Sequence, residues 1–421
     1  MRFESNVRAV TRAVLAVSLL AALAALTGCS SNPLPTAPAR PLLGYVVITP
    51  TLDTLQTGST RAFVAAALDT DSVAVAAPSL TWRSSNSAVA TVNSTGLVTA
   101  ISEGVASIIA SGNGAADTAQ VFVWSQSGWF AQTSNSANNL NAVHFLADGR
   151  KGYAVGEVGT LLRTLDAGNT WTVRTSGTTS SLESIWFTHA DTGWAVGSAG
   201  TVMKSVDGGA TWARQNNVTA AEDLMCVRFV GTRYGWIVGA SGVVLRTRNG
   251  GVSWTRVSPT AQQLNSVAFA DTANGWAVGT GGVVIGTHNG GASWYIVQPS
   301  LTAQALESVA RRSNTLAWAV GAQGTVARTT ATVDSLDWTT SSTGGAHQLR
   351  GVQMLSNTLG WAVGTNGSAS LVLRTINGGA AWVAQDANAS ETLNDVYFVD
   401  EQRGWAVGDG GRIVHTSRGG Q

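Results

Sequence analysis

The spacing of apolar and polar residues changes twice along the chain. Residues 13–26 form an apolar run interrupted only by Ser18, residues 45–123 contain short segments of alternating apolar and polar residues, and a pattern of about 42 residues repeats from residue 128 onward. Alternation with a period of two predicts β-strands that bury one face. The pattern therefore predicts an all-β protein that follows a short apolar N-terminal segment.

The repeat is defined by a segment of the form Gly-Trp-Ala-Val-Gly. Its aromatic residue recurs every 40 to 44 residues, at Tyr153, Trp194, Trp236, Trp276, Trp318, Trp361 and Trp405. A strand of the form Leu-x-x-Val-x-Phe precedes the segment, and two further short strands follow it, the last opening with Trp. Four short strands in each of seven units predict a seven-bladed β-propeller.

The two ends of the repeat region predict how the ring closes. The seventh unit stops at Gln421 before any fourth strand, whereas residues 128–133 stand ahead of the first unit and read as an isolated fourth strand. Because a closed ring needs every blade completed, we expect residues 126–421 to form the propeller, with residues 128–133 completing the seventh blade.

Residues 43–124 are predicted to form a small β-sandwich, because short strands alternate there with Gly, Ser and Asn. The run from Trp82 to Val92, followed by Gly96-Leu-Val-Thr-Ala and Gly104-Val-Ala, closely resembles the group 2 bacterial immunoglobulin-like domain. The resemblance implies a spacer or adhesive module without catalytic activity.

The N-terminal segment has the features of a secretion signal. Arg2, Arg8 and Arg12 precede the apolar run, which is too short to span a membrane. The run ends in Leu-Thr-Gly-Cys29, which resembles the lipobox of bacterial lipoproteins. The resemblance implies a signal peptide at residues 1–28, a lipid on Cys29 and, because no Asp follows the Cys, the outer membrane. Residues 29–42 are rich in Pro and are predicted to be a semi-extended tether.

The composition argues against several classes of function. The chain has 48 Gly and 16 Trp, only 12% charged residues and a formal net charge of +1, which argues against a nucleic-acid partner. Its two cysteines, Cys29 and Cys226, do not form a disulfide framework, and the five histidines lack metal-ligand spacing. We therefore expect a monomer without cofactor or metal, attached to the membrane only by its lipid.

The turn before each fourth strand has a repeated sequence, as in Thr164-Leu-Asp-Ala-Gly-Asn-Thr-Trp171. It resembles the Asp-box, or bacterial neuraminidase repeat, and we call these segments box turns. An Asp or Asn oxygen can accept hydrogen bonds from turn N–H groups, so we expect these residues to be structural. The residues at this position are Asp166, Asp207, Asn249, Asn289 and Asn377, whereas the fifth unit is degenerate and the seventh has Arg418.

Sialidases share such turns, so a glycan-binding or sialidase-like glycoside hydrolase is the alternative function. Their chemistry needs an arginine cluster and a Tyr nucleophile with a carboxylate partner. The family's Phe-Arg-Ile-Pro signature is missing, and only five Tyr are present. These observations favour a protein that is not an enzyme.

The Gly-Trp-Ala-Val-Gly strands and the box turns together resemble the photosystem II assembly and stability factor family, over about 290 residues. The resemblance implies a propeller that binds protein partners, through an arginine patch in the photosynthetic members. The residue before the box turn is basic in five of seven units, at Arg163, Lys204, Arg246, Arg328 and Arg374. These side chains either receive carboxylates of a partner or pair locally within each blade.

The connections from each fourth strand to the next first strand differ most between units and are rich in Ser, Thr, Asn and Gln. The second residue of each first strand should lie near the mouth on that face: Asn141, Glu183, Met225, Asn265, Glu307, Arg350 and Asn394. The leading hypothesis is a non-catalytic envelope lipoprotein whose propeller is a protein-binding platform displayed by the Ig-like spacer. The periplasmic or surface orientation stays open.

Overall fold

The computed structural model describes residues 44–420 except residues 72, 76–79, 103, 125–127, 219, 299–300, 331–336, 345–346 and 368. The predicted signal peptide, Cys29 and the tether lie outside the described residues. The chain divides into two compact units, residues 1–126 and 127–421. No helix in the described ranges is long and apolar enough to cross a membrane.

The first unit is a small β-sandwich. Its described strands are β1 (Tyr45–Thr49), β2 (Leu52–Gln56), β3 (Thr60–Ala62), β4 (Val64–Leu68), β5 (Thr81–Ser84), β6 (Ala90–Val92), β7 (Leu97–Ala100), β8 (Gly104–Gly112) and β9 (Ala115–Trp124). They form sheets of order β2-β9-β8-β5, β3-β7-β6 and β1-β4. Alternate residues of β8 are buried, as a strand with one core face requires. Ile48, Val98, Ile108 and Val121 in the core are fully buried.

The second unit is built from four-stranded antiparallel sheets. After β10 (Phe130–Gln132), the strands are β11 (Leu140–Phe145), β12 (Gly152–Gly156), β13 (Leu161–Thr164), β14 (Thr172–Val173), β15 (Leu182–Phe187), β16 (Gly193–Gly197), β17 (Thr201–Ser205), β18 (Ala213–Arg214), β19 (Leu224–Val230), β20 (Tyr234–Gly239), β21 (Val244–Thr247), β22 (Thr255–Val257), β23 (Leu264–Phe269), β24 (Gly275–Gly279), β25 (Val284–Thr287), β26 (Tyr295–Gln298), β27 (Leu306–Arg311), β28 (Ala317–Gly321), β29 (Thr325–Thr329), β30 (Trp338–Ser342), β31 (Gln348–Met354), β32 (Gly360–Thr365), β33 (Ser370–Thr375), β34 (Val383–Gln385), β35 (Leu393–Phe398), β36 (Gly404–Gly408) and β37 (Ile413–Thr416).

Consecutive groups of four strands from β11 to β34 form blades 1 to 6, each paired in chain order. Blade 7 has the order β10-β37-β36-β35, so the first strand of the unit completes its last sheet. In that pairing Phe130 lies opposite His415 and Gln132 lies opposite Ile413. The described residues thus confirm the predicted fold class, a seven-bladed β-propeller preceded by an Ig-like sandwich.

Short 3-10 turns join the second and third strands of five blades, at Glu157–Gly159, Ala240–Gly242, Thr280–Gly282, Ala322–Gly324 and Asp409–Gly411. The second strands β12, β16, β24 and β36 are buried along their whole length. Two glycines frame each of these four strands for steric reasons. A Cβ on Gly152 would lie 2.3 Å from the Phe145 ring, and a Cβ on Gly156 would lie 1.9 Å from the Asn139 carbonyl oxygen.

Aromatic rings hold neighbouring blades together. The first-strand Phe of one blade stacks on the second-strand aromatic residue of the preceding blade, as Phe145 does on Trp405 with ring centroids 3.6 Å apart. Phe187 stacks in the same way on Tyr153 at 3.7 Å. The fourth-strand Trp171 meets the same Phe145 edge-on at 5.8 Å. Burial of these large rings supplies much of the inter-blade packing.

The second-strand aromatic residue also donates a hydrogen bond to the box turn of the next blade. The Trp405 indole N–H donates to the Ala167 carbonyl at 3.1 Å, and Trp318 donates to Gly378 at 2.8 Å. The other such bonds join Tyr153 to Gly208, Trp236 to Gly290 and Trp361 to Gly419. The repeated Trp and the repeated box turn therefore form one inter-blade contact.

Candidate functional site

In blades 1 to 4 and in blade 6, the box turn is closed by its own Asp or Asn. In the first, Asp166 accepts the backbone N–H of Thr170 at 2.9 Å and the Thr170 hydroxyl at 2.7 Å, and Gly168 N–H donates to the Thr164 hydroxyl at 2.8 Å. The same turn N–H is bonded by the other predicted box residues, namely Asp207, Asn249, Asn289 and Asn377. In blade 7 the anchoring hydroxyl is kept, because Gly420 N–H donates to Thr416 at 2.7 Å.

The electrostatics of a box turn fit a role in folding. Hydrogen bonds from Thr211 and Ser205 lower the pKa of the Asp207 carboxyl to about 2. A carboxylate that is hydrogen-bonded in its ionised form has no proton to give at neutral pH. The Asp207 carboxylate therefore lacks the property that a general acid requires.

The five predicted partner-binding cations occupy one equivalent position in five blades. Each lies on the third strand, opposite the second-strand aromatic residue, in the pairs Tyr153–Arg163, Trp194–Lys204, Trp236–Arg246, Trp318–Arg328 and Trp361–Arg374. Because each blade contributes one, they are spread around the ring and do not form one cluster. Their role in partner binding stays a prediction.

Local contacts account for part of this basic series. The Lys204 Nζ lies 4.6 Å from the Trp194 ring centroid and donates to the Gly250 carbonyl at 3.3 Å, in the place that an indole N–H takes in other blades. Arg328 and Arg374 lie 5.9 and 5.8 Å from the ring centroids of Trp318 and Trp361. Cation–π contacts of this kind are worth about 0.5–1 kcal/mol at exposed sites.

The two faces of the propeller differ in what they display. The connections from fourth to first strands lie on one face, which we call the connection face, together with the turns between second and third strands. For example, Gly200 N–H donates to the Glu222 carbonyl at 2.9 Å, and Gly324 N–H donates to His347 at 2.6 Å. The opposite face carries the box turns, and we call it the box face.

A cavity of about 270 Å³ opens at the centre of the connection face. It is lined by the residue that follows the repeated Leu in each of the seven first strands: Asn141, Glu183, Met225, Asn265, Glu307, Arg350 and Asn394. Gln348 and Leu349 complete its wall. We call these seven residues the mouth ring.

Hydrogen bonds join the mouth ring across blades. Asn141 Nδ2 donates to the Leu182 carbonyl at 3.1 Å and to the Glu183 carboxylate at 2.9 Å. Asn265 repeats the arrangement, donating to the Leu306 carbonyl and the Glu307 carboxylate, both at 3.0 Å. The mouth ring therefore positions two carboxylates at fixed places.

Burial raises the pKa of both mouth carboxyls above the usual value for Glu. The Ser181 hydroxyl opposes this shift at Glu183, with which it forms a 2.6 Å hydrogen bond, and the Arg350 charge opposes it at Glu307. Two carboxyl groups that are costly to ionise where they lie would be stabilised by a cationic group entering the mouth.

A second cavity of about 290 Å³ lies deeper, toward the box face. Counted from the repeated Leu of each first strand, the fifth residues line it: His144, Trp186, Arg228, Ala268, Ala310, Gln353 and Tyr397. Arg311, Arg312 and Asp395 line it as well. None of these residues was predicted as a site residue from the sequence. A register shift at the second residue of each first strand changes the alternation, so that the second and the fifth residues both face the channel.

The signal that could have found them is the motif itself. In Leu-x-x-Val-x-Phe the fixed Leu and Phe are buried, as Leu140 and Phe145 are, and Phe145 stacks on the preceding blade. The residue after the fixed Leu and the residue before the fixed Phe vary between blades and line the channel. Among the residues that the structure describes, no group of three or more His, Cys, Asp or Glu side chains could hold a metal ion. The mouth cavity offers charges and amide groups, and the deeper cavity offers charges and aromatic surface, which suit binding.

Comparison with known proteins agrees with this architecture. Residues 172–264 match the family described as Photosynthesis system II assembly factor YCF48, and residues 45–123 match the Bacterial Ig-like domain (group 2). No curated protein matches the chain in sequence.

Solved propellers resemble the chain in fold at low sequence identity. YCF48 bound to D1 peptide is 19% identical with a TM-score of 0.58, over 70% of this chain and 96% of that one. YCF48 from Cyanidioschyzon merolae is 19% identical with a TM-score of 0.57, over 69% and 98% of the two chains. The WD40 β-propeller domain of Doa1 is 8% identical with a TM-score of 0.57, over 69% and 97%. The chain therefore joins a group 2 bacterial Ig-like domain to a seven-bladed propeller similar to the photosynthesis system II assembly factor YCF48.

Proposed function

We propose that this protein is a non-catalytic envelope lipoprotein whose propeller binds a protein partner on its connection face. The main support for this proposal is the difference between the fixed and the variable positions of the repeat. The fixed residues of the repeat are used in contacts between blades, whereas the mouth ring differs from blade to blade and displays charge at the centre of one face. A similar propeller has been solved bound to a peptide, the YCF48 bound to D1 peptide, which supports a protein-binding role.

The chemistry of the mouth favours a partner that inserts a cationic side chain. Glu183 and Glu307 are held by Asn141 and Asn265, and burial makes their ionisation costly. A Lys or Arg of the partner would offset that cost through charge-assisted hydrogen bonds. The polar connections around the mouth would supply the rim of the interface.

A lipid anchor would place the binding platform at the membrane. The lipobox at Cys29 supports diacylation there, and two or more acyl chains give stable attachment. The Pro-rich residues 29–42 and the Ig-like domain would then separate the propeller from the membrane, and the outer membrane is the proposed location. Cys29→Ser should abolish incorporation of radiolabelled palmitate into the full chain, and labelling that persists would contradict the anchor.

The binding test uses the full chain, tagged at its C-terminus and expressed in the envelope of its own cell. Chemical cross-linking followed by mass spectrometry should identify one partner reproducibly. The double variant Glu183→Gln with Glu307→Gln should reduce its recovery about tenfold or more, because each carboxylate forms a charge-assisted contact. The matched control is Asp207→Asn on the box face, which should leave recovery unchanged.

Equal recovery with the mouth variant and the wild-type chain would contradict binding through the mouth. The glycoside hydrolase alternative makes a separate prediction. Turnover of a fluorogenic sialoside or a β-glucan by the purified chain would contradict the non-catalytic assignment.

A further inference from the structure

The deeper, box-side cavity has one wall of large side chains and one wall of small ones. His144 lies between Tyr397 and Trp186, with ring centroids 4.8 and 4.7 Å away. The Arg228 guanidinium lies 5.1 Å from the Trp186 ring centroid and continues the series. We call these four residues the aromatic arc. Blades 4 and 5 contribute Ala268 and Ala310 at the equivalent strand position, which leaves room opposite the arc, and Arg311 and Arg312 of blade 5 also line the cavity.

The Arg228 guanidinium in the arc has N–H groups that donate no hydrogen bond to the described residues. Arg228 Nη1 donates to the Val227 carbonyl at 2.8 Å and to the Ser184 hydroxyl at 3.3 Å. Within the described ranges, its other nitrogens have no hydrogen bond and no ion pair. Asp395 also lines the cavity, but both of its oxygens accept backbone N–H groups, from Val143 at 3.0 Å and Val396 at 2.9 Å. The cavity therefore contains a cation that no carboxylate neutralises by direct contact.

His144 adds a second donor. The imidazole is 4% exposed, and its Nδ1 has no hydrogen-bond partner among the residues that the structure describes. Burial, together with the Arg228 charge, lowers the pKa of His144 to about 3, so the ring is neutral at physiological pH. A neutral imidazole carries one N–H, and a buried nitrogen without a partner is a costly feature that a ligand could satisfy.

We propose that the box-side cavity binds a carboxylate carried on a small planar apolar group. The carboxylate would take the Arg228 and His144 donors, and the planar group would lie in the space beside Ala268 and Ala310, against the aromatic arc. A guanidinium prefers a carboxylate because both are planar and can form two hydrogen bonds. The volume of about 290 Å³ is near the lower end for small-molecule sites.

This site goes beyond the proposed docking role, because it lies on the other side of the channel from the mouth ring. The carboxylate has two chemical sources, a free aromatic acid or the C-terminus of a peptide that ends in an aromatic residue. Both present the same group to Arg228. The test must therefore detect binding at the site and also distinguish a free aromatic acid from a peptide C-terminus.

Isothermal titration of the full chain with phenylacetate is the primary test. Benzyl alcohol retains the ring without the charge, and acetate retains the charge without the ring. We expect phenylacetate to bind at least about tenfold more tightly than either, because only it uses both walls. Affinity for phenylacetate no greater than for benzyl alcohol would overturn the proposal.

Two variants and one control localise the binding. Arg228→Gln should weaken phenylacetate binding about tenfold or more, and Ala310→Phe should abolish it by filling the cavity. Arg350→Gln removes a cation from the mouth ring and should leave it unchanged. If a variant fails to fold, a crystal structure of the wild-type chain with phenylacetate decides, because density away from Arg228 would overturn the proposal.

A tetrapeptide ending in Phe and its C-terminal amide separate the two sources. Binding of the free acid but not the amide would assign the site to a chain terminus as well. Binding of phenylacetate alone would assign it to a free acid. Binding of neither phenylacetate nor the peptide acid would overturn the site, whereas the docking proposal would still stand on its own cross-linking test.

Discussion

The two halves of the central channel are built from the same seven strands and are nevertheless opposite in character. In the mouth ring, Asn141 and Asn265 donate to carbonyls and carboxylates of the next blade, and Asn394 Oδ1 accepts no hydrogen bond within the described residues. In the box-side half, the aromatic arc leaves His144 Nδ1 without a partner in the described structure. A symmetric scaffold thus surrounds an asymmetric channel, because contacts between blades constrain the inter-blade positions and leave the channel positions free to vary.

The largest effect should come from the scaffold that both halves share. Trp361 is fully buried, stacks on Phe398 at 3.7 Å and donates to the Gly419 carbonyl at 3.2 Å. Trp361→Ala should lower the free energy of unfolding by about 3–5 kcal/mol, as expected for a large cavity. Trp186→Ala is the matched control, because Trp186 faces the channel and is only partly buried. Guanidinium chloride titration should show a clearly smaller loss for the control, and equal losses would contradict the division into scaffold and channel.

The next effect concerns Asp395, which faces Arg228, His144 and Tyr397 in the box-side half. Burial raises the pKa of Asp395 from 3.8 to about 6. The folded chain then holds the proton more tightly than the unfolded chain, so stability is greatest below pH 4 for this group and falls as the pH rises toward 6. The upper bound on this loss is about 3 kcal/mol.

Asp395→Asn keeps an acceptor for the Val143 N–H and cannot ionise. We expect this variant to be more stable than the wild-type chain at pH 7.5 and to lose most of the pH dependence between 4 and 6. Thermal melts across that range measure the difference. An unchanged slope between pH 4 and 6 would show that Asp395 is not a buried carboxyl of raised pKa.

A smaller effect should come from the mouth ring. Asn265→Ala removes the donor to the Leu306 carbonyl and the Glu307 carboxylate. The loss should be about 1–2 kcal/mol, because two acceptors lose their partner. Asn216→Ala is the control, since this exposed Asn on the connection face has no side-chain hydrogen bond in the described structure. If denaturant titration gave equal losses of unfolding free energy for the two variants, the hydrogen bonds across the mouth ring would contribute nothing to stability.

The sequence predicts the scaffold well because the motifs that form the scaffold recur in seven units. Trp405 and Phe145 belong to motifs that recur, so their burial follows from the repeat and its period. The isolated strand before the first unit likewise follows from counting strands, and β10 lies beside β37 in the structure.

The channel could not be predicted to the same degree. Simple alternation would direct the second, fourth and sixth residues of a first strand to one side, but the bulge at the second residue shifts that register. Contacts such as Lys204 with the Gly250 carbonyl join different blades, and no local pattern encodes them. The sequence therefore left open whether Arg163 and its equivalents converge, and in the structure they lie on separate blades.

Binding of a protein partner on the connection face is tested most directly by comparing the two faces of the same full chain. A photo-reactive benzoylphenylalanine is placed at Thr179, which is exposed on the connection face, or at Val206, which is 69% exposed on a box turn. After irradiation of intact envelopes, we expect a specific protein partner to be cross-linked at position 179 and none at position 206. A partner cross-linked from position 206 but not from position 179 would contradict it.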